Sequence, residues 1–231
     1  MRQTITLNEL RTIISDSLLQ ESVIDKLNDA VKNKESEEDA AKKLLAIAKK
    51  NLRKIGFGSS RVSYALSSKK VLKIALNSKG YIQNRVEFLL SNKQDINKHV
   101  TKVFATAPYN TFNFIISELV RPANMRDIIN VTGTILSKFL TYVYDVKNSP
   151  EMVEYLTKEN KITPQGLELA QWLSNLEDKY DVYITDLYMP EQWGMTSDQK
   201  LVVLDTGFTG ETSNFYGSSR YENDWISPLD D

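Results

Sequence analysis

The sequence contains no cysteine among its 231 residues, and its only histidine is His99. The absence of cysteine excludes disulfides, zinc–thiolate sites and cysteine nucleophiles. A single histidine excludes a metal site built from several histidines and argues against a Ser-His-Asp triad. We predict that His99 is a surface or partly packed residue, so any chemistry falls to other side chains.

The chain also lacks a net charge of either sign and a long apolar run. Its 29 Lys and Arg residues nearly balance its 30 Asp and Glu residues. No overall field therefore recruits nucleic acid or an anionic membrane, and only a local basic patch is left open. No apolar run reaches membrane-spanning length, and the N-terminus has no secretory apolar region. We expect a soluble protein in a reducing cytoplasm, or in a particle assembled there.

The length fits one domain or two small lobes, and the apolar periodicity changes along the chain. Predicted helices are 4–20, 22–32, 36–52, 80–90, 125–130, 135–146, 150–158 and 164–178. Predicted strands are 52–56, 62–67, 70–76, 101–107, 111–118 and 201–204, with a further short strand ending near residue 196. This order predicts an α+β fold with a sheet-rich first lobe and a helical second lobe.

The first predicted helix is amphipathic and opens on a capping-box pattern, Thr6 with Glu9. It either packs on the main domain or serves as a detachable docking or targeting segment. The leader TLNELR is similar to short leaders of phage structural and packaged proteins. That similarity implies a location in the host cytoplasm or the virion.

A glycine-rich segment, Gly56-Phe57-Gly58-Ser59-Ser60, lies between two predicted strands. A dinucleotide-binding glycine loop is followed by a helix, so that interpretation fails. The segment is either an ordinary hairpin turn or a turn whose backbone N–H groups cover nucleotide phosphates.

Lys73 lies within an apolar strand and alternates in phase with Val71 and Ala75. It either points into a cleft or faces water from an edge strand. Glu87 lies on the following helix. An ion pair between Lys73 and Glu87 would fix the ammonium group to meet phosphate oxygens.

The segment 186–207 predicts a loop and a hairpin that bring Asp186 and Asp205 to neighbouring loops. Two carboxylates so placed suit a divalent metal, because hard cations prefer oxygen ligands. The Asp-Thr-Gly triplet that begins at Asp205 is also typical of aspartic proteases. Those enzymes need a second such triplet and a long β segment after the motif, which this sequence does not offer.

Taken in order, these segments resemble the protein-kinase-like superfamily over roughly residues 50–208. The segments that carry the resemblance are KIGFGSSRVSYAL, VLKIA, YIQNRVE, IISELVRP, DLYMPEQWG and LVVLDTGF. The set of segments is similar to small kinase-like proteins of phages and bacteria. This similarity implies a bilobal fold with a minimal helical C-lobe and an N-terminal helical extension. The implied boundaries are 1–35 for the extension, 36–123 for the N-lobe and 124–231 for the C-lobe.

The resemblance also implies ATP and Mg²⁺ as cofactors and a role for each matching residue. Backbone groups of Glu118 to Val120 would meet adenine. Asp186 would accept the proton of the substrate hydroxyl, and Asp205 and Gln192 would hold Mg²⁺. The residues implied for the phosphates are Gly56, Gly58, Ser59 and Lys73, with Glu87 holding the lysine.

Several positions depart from the kinase pattern. Arg61 replaces the third glycine, Thr206 replaces a phenylalanine, and the second metal ligand falls at Gln192 or, with the usual spacing, at Glu191. Two functions follow. The chain is either an ATP-dependent phosphotransferase acting on a protein or small-molecule hydroxyl, or an inactive pseudokinase. A pseudokinase would act as a binding or structural module with a virion or host protein as its partner.

Overall fold

The computed structural model of the protein describes residues 7–94, 97–204 and 209. The chain forms two compact units of mixed helix and strand, and the predicted α+β class is confirmed. Within the described part, the first unit comprises 7–81 and 104–119, and the second comprises 82–94, 97–103, 120–204 and 209.

Two helices open the first unit, α1 (Leu7–Lys32) and α2 (Glu37–Asn51). The sequence predicted two helices before residue 33, whereas α1 runs through without a break. No proline or glycine lies in this stretch to end it. Ser36 caps α2 by accepting a hydrogen bond from the Asp39 N–H.

The centre of the first unit is a five-stranded sheet in the order β1-β2-β3-β5-β4. The pairs β1–β2, β2–β3 and β3–β5 are antiparallel. Helix α3 (Ser78–Ser91) follows β3 and leads towards β4. The strands are β1 (Arg53–Phe57), β2 (Arg61–Ala65), β3 (Lys70–Ala75), β4 (Val103–Ala107) and β5 (Thr111–Glu118).

Helices α1 and α2 cover one face of this sheet with an apolar core. Leu72 and Ile74 of β3 are fully buried there together with Leu27 of α1 and Leu44 of α2. Val23 and Val31 of α1 belong to the same core. The described C-terminal half of α1 is therefore packed on the unit. These residues belong to the predicted second helix, 22–32. Most side chains of the predicted leader helix 4–20 lie outside the described part of the structure, so the choice between its packing and docking roles stays open.

The second unit contains four further helices and a small three-stranded sheet in the order β6-β7-β8. The helices are α4 (Met125–Thr132), α5 (Leu136–Asn148), α6 (Pro150–Lys158) and α7 (Pro164–Tyr180), and the strands are β6 (Arg121–Pro122), β7 (Trp193–Met195) and β8 (Leu201–Val203). Short 3₁₀ turns cover Asn97–His99, Ile184–Tyr188 and Pro190–Gln192.

Trp193 anchors the β7–β8 hairpin in the core of the second unit. Its side chain is fully buried, and its ring centroid lies 6.4 Å from that of Phe139 on α5. The indole N–H donates to the Leu187 carbonyl oxygen at 2.9 Å, so the one polar atom of the ring is satisfied. No helix in the described ranges combines the length and the apolar character needed to cross a membrane.

Candidate functional site

Lys73 lies in β3, the third of the five strands, and is only 9% exposed. It pairs with Ser63 of β2 on one side and Ile115 of β5 on the other. The edge-strand interpretation of this lysine is therefore wrong, because β3 has a neighbour on both sides. Burial of an ammonium group costs free energy unless polar or charged partners surround it.

The face of the sheet that carries Lys73 is opposite to the apolar core formed with α1 and α2. The strand register places Gly56, Ser63, Lys73 and Ile115 in one row across four strands. On the β1 and β2 side of Lys73, this row therefore contains no side chain larger than serine. Small side chains at these two positions allow another group to approach the backbone more closely than large ones would.

The glycine-rich segment forms a tight turn at one end of this face, where the Gly58 N–H donates to the Arg61 carbonyl oxygen at 2.9 Å. Neither Gly56 nor Gly58 has a left-handed backbone, since Gly133 is the glycine with positive φ in the described ranges. A β-carbon at Gly56 would lie 3.5 Å from Ser63 Cβ, and one at Gly58 would lie 3.7 Å from the Arg61 carbonyl oxygen. Both are ordinary contacts, so the turn itself does not explain either glycine.

Ser117 is a further polar residue on the same face that the sequence did not single out. It pairs with Val71, two residues before Lys73, and is completely buried. Its hydroxyl oxygen has no hydrogen-bond partner in the part of the chain that the structure describes. An unpartnered buried hydroxyl costs about 1–3 kcal/mol. The signal was present in the run Phe114-Ile115-Ile116-Ser117, where a serine follows three apolar residues within the predicted strand 111–118.

Glu118 and Val120 fall at the end of the strand beside Ser117. Glu118 ends β5 opposite Lys70, and the next N–H, that of Leu119, donates to the Lys69 carbonyl oxygen at 2.9 Å. Val120 opens a segment of the second unit. The predicted adenine-contacting stretch is thus the chain segment at which one unit ends and the other resumes.

Glu87 is 2% exposed on α3, and its carboxylate accepts a hydrogen bond from the Thr101 hydroxyl at 3.1 Å. A fully buried carboxylate, like a buried lysine, is expensive unless it is paired. Lys73 belongs to the first unit and Glu87 to the second. Their ion pair stays a prediction.

The loop and hairpin predicted for 186–204 are present. Asp186 lies in the 3₁₀ turn Ile184–Tyr188, and its side chain is outside the described part of the structure. Gln192 ends the next turn, and its carbonyl oxygen accepts from the Leu204 N–H at 2.8 Å. Asp205 follows Leu204 in the sequence and lies outside the described residues, as does Thr206.

The predicted metal ligands lie partly outside the part of the chain that the structure describes. Among residues 7–94, 97–204 and 209, no group of three or more His, Cys, Asp or Glu residues could hold a metal ion. The predicted ligand Asp205 is outside these ranges, Glu191 is exposed and Gln192 is half-buried. The Mg²⁺ site stays a prediction from the resemblance.

His99 is half-buried, which confirms the prediction of a partly packed residue. Its Nδ1 atom lies 3.3 Å from the Leu201 carbonyl oxygen, and its ring centroid lies 5.2 Å from that of Trp172. Burial lowers the pKa of His99. The residue therefore packs between α7 and the β8 strand.

No protein-family model matches this sequence, and no curated protein matches it either.

Proposed function

We propose that this protein is a kinase-like, ATP-binding protein that holds the nucleotide phosphates against the Lys73 face of its five-stranded sheet. One observation carries the proposal. A buried lysine in the central region of the sheet shares a cross-strand row with Gly56 and Ser63, next to a turn whose glycines the fold does not require. Phosphate oxygens need positive charge and close access to backbone N–H groups; Lys73 would supply the charge, and the exposed turn at Gly58 and Ser59 would supply the N–H groups.

Two further features support a polar ligand on this face. The Ser117 hydroxyl is buried there and has no hydrogen-bond partner within the described ranges, so this face of the sheet carries an unsatisfied polar atom. The Lys73 side chain is largely buried. An ion pair with phosphate is stronger at a buried position than in water, because the dielectric there is lower.

In this proposal, Lys73 would hold the α- and β-phosphate oxygens, and Glu87 would orient its ammonium group. Backbone groups of Gly56, Gly58 and Ser59 would cover the phosphates. Gly58 and Ser59 are exposed in the turn, as this role requires.

The remaining roles come from the resemblance alone. Backbone groups of Glu118 and Val120 would meet adenine, and the two compact units would correspond to the lobes of a kinase-like fold. Asp205 and Gln192 would hold Mg²⁺, which neutralises phosphate charge when bound. Asp186 would accept the proton of a hydroxyl acceptor, on a protein or on a small molecule.

Thermal unfolding with and without ATP and Mg²⁺ tests the binding step. A ligand at 100 times its Kd stabilises the folded state by about 2.7 kcal/mol. We expect a clear rise in Tm for the wild type and none for Lys73→Met, which keeps most of the length of the side chain and removes the charge. Lys70→Met, in the same strand, is the matched control and should retain the shift.

The absence of any shift at millimolar ATP in the wild type would overturn the proposal. If the shift is present, transfer of labelled phosphate by the wild type and by Asp186→Asn tests catalysis. Binding without transfer would assign the protein to the second class, a nucleotide-binding pseudokinase that serves as an interaction module. Equal transfer by both proteins would remove Asp186 from the base role.

A further inference from the structure

Two hydrogen bonds join the turn between β1 and β2 to the residues just before α3, and a third joins those residues to the first turn of the helix. The Asn77 side-chain amide donates to the Ser59 carbonyl oxygen at 3.0 Å. The Leu76 N–H donates to the Ser60 carbonyl oxygen at 2.8 Å. The Gly80 N–H donates to the Asn77 side-chain oxygen at 2.9 Å. Asn77 therefore links the turn and the helix through the two ends of one side chain.

Asn77 stands immediately before α3 and makes the bond of a helix N-cap residue, accepting from the N–H three positions on. Ser, Asp and Asn serve about equally well in that role. Only Asn among them also carries an amide donor, which here reaches the Ser59 carbonyl oxygen. The residue is 5% exposed, so this second bond is made away from water.

Gly80 removes the obstacle to this arrangement. A β-carbon at this position would lie 2.0 Å from the Ser60 carbonyl oxygen and 2.9 Å from the Ser60 carbonyl carbon. No real side chain fits those distances, so the turn can approach the helix only because residue 80 is glycine. The need is one of space, since Gly80 has no left-handed backbone.

The direction of these bonds orients the rest of the turn. A trans peptide places its N–H opposite its C=O. With the Ser59 carbonyl directed at Asn77, the N–H of Ser60 faces away from Asn77. With the Ser60 carbonyl directed at Leu76, the N–H of Arg61 faces away from Leu76. The carbonyl groups of Ser59 and Ser60 are thus held by Asn77 and Leu76, and this fixes the orientation of both peptide groups in the turn.

We propose that Asn77 and Gly80 are positioning residues that hold the glycine-rich turn in the orientation that receives nucleotide phosphates. This inference rests on the proposed ATP-binding function and deepens it, because it assigns the shape of the phosphate-binding turn to two residues outside the turn. A turn held in advance does not have to be ordered when the ligand binds, and this strengthens binding of the phosphate part of the nucleotide.

The test compares Asn77→Ser with Asn124→Ser. Asn124 is also an N-cap, at the start of α4, where it accepts from the Asp127 N–H. Serine preserves the cap in both variants, but only Asn77→Ser loses a bond to the turn. Two readouts are needed: amide hydrogen exchange of the ligand-free proteins, and the Kd values for ATP and for adenosine, which has no phosphates.

We expect the Gly58 and Leu76 amides to exchange about fivefold faster in Asn77→Ser than in the wild type, as for loss of one hydrogen bond. We expect the Kd for ATP to rise by about fivefold or more, with the Kd for adenosine unchanged. Asn124→Ser should alter neither the exchange of these amides nor the Kd for ATP. Asn77→Asp, which keeps the acceptor and lacks the donor, should behave like Asn77→Ser and provides a second variant.

Each contrary result is distinct. Equal weakening of ATP and adenosine would overturn the inference, because it would mean a general structural role for Asn77. Unchanged ATP affinity would overturn it as well. Unchanged exchange of the Gly58 and Leu76 amides in Asn77→Ser would show that Asn77 does not hold the turn, and this result does not depend on any ligand. A wild type that binds neither ATP nor adenosine would instead refute the proposed function, and the positioning role with it, even where exchange shows that Asn77 holds the turn.

Discussion

Gly80 lies so close to Ser60 that a β-carbon on Gly80 would stand 2.0 Å from the Ser60 carbonyl oxygen. We predict that Gly80→Ala lowers the free energy of unfolding by about 1–3 kcal/mol, the usual cost of overpacking. The loss should occur although alanine favours a helix over glycine by about 1 kcal/mol. Urea unfolding followed by circular dichroism measures it.

Gly58→Ala is the matched control for this substitution. Its β-carbon would lie 3.7 Å from the Arg61 carbonyl oxygen, which is an ordinary contact. The free energy of unfolding should change by no more than about 0.5 kcal/mol. If the two variants lost equal stability, the close approach of the turn to α3 would be refuted.

Truncation of Ser117 should change the free energy of unfolding in the opposite direction to Gly80→Ala. Its hydroxyl is buried and has no hydrogen-bond partner in the described ranges. We expect Ser117→Ala to raise the free energy of unfolding of the ligand-free protein by about 1 kcal/mol, because it removes an unsatisfied polar group. Ser174→Ala should lower it by about 1 kcal/mol, since the Ser174 hydroxyl bonds to the Val143 and Ala170 carbonyl oxygens. A loss of stability in Ser117→Ala would show that its hydroxyl is already satisfied.

His99 predicts how stability depends on pH. Burial lowers the pKa of His99 below its ordinary 6.5, and the charges facing it are Glu168, which opposes the shift, and Lys98 and Lys200, which add to it. The folded state therefore favours the neutral ring. Its stabilising contribution is complete above pH 6.5 and is lost as the pH falls through the folded pKa, because the unfolded chain binds the proton first.

The measurement is the free energy of unfolding of the wild type and His99→Gln at about pH 7.5 and about pH 5.5. The wild type should lose more stability than the variant between these values. Identical losses would mean that the ring has the same proton affinity in the folded and unfolded chains.

The Asp127 carboxyl group gives a second prediction of how stability depends on pH, in a more acidic range. Both guanidinium nitrogens of Arg121 donate to its carboxylate, at 2.6 and 2.8 Å, and the Asn124 N–H donates at 2.9 Å. These bonds lower the pKa of Asp127 from 3.8 to about 2. Its contribution to stability is present above pH 3.8 and is lost as the pH falls through about 2. In Arg121→Gln the pKa should rise towards 3.8, as NMR titration of the carboxyl carbon would show, and an unchanged value would refute the pairing.

Much of the fold follows from local sequence patterns. The alternation of Val71, Lys73 and Ala75 correctly predicted a strand, and the helix predicted for 164–178 is present as α7, in which proline occupies the first helical turn. The break expected within α1 was wrong. That error arose because a polar interval by itself does not end a helix without a residue that disfavours helical geometry.

The burial of Lys73 and the bracing of the glycine-rich turn needed the tertiary structure. Whether β3 is an edge strand depends on β5, which begins at Thr111, far along the chain. The roles of Asn77 and Gly80 likewise depend on a carbonyl oxygen of Ser60. A sequence pattern reports spacing within an element, and these positions are defined by contacts between elements.

The pairing of β3 with β5 also has a consequence for biosynthesis. A nascent chain that has completed β3 must still make α3 and β4 before β5 emerges from the ribosome. Until then, one side of β3 carries exposed backbone donors and acceptors, the kind of edge at which chains associate with one another. Translation products that stop before residue 111 should therefore be prone to aggregation and depend on chaperones, whereas products that reach residue 118 can close the sheet.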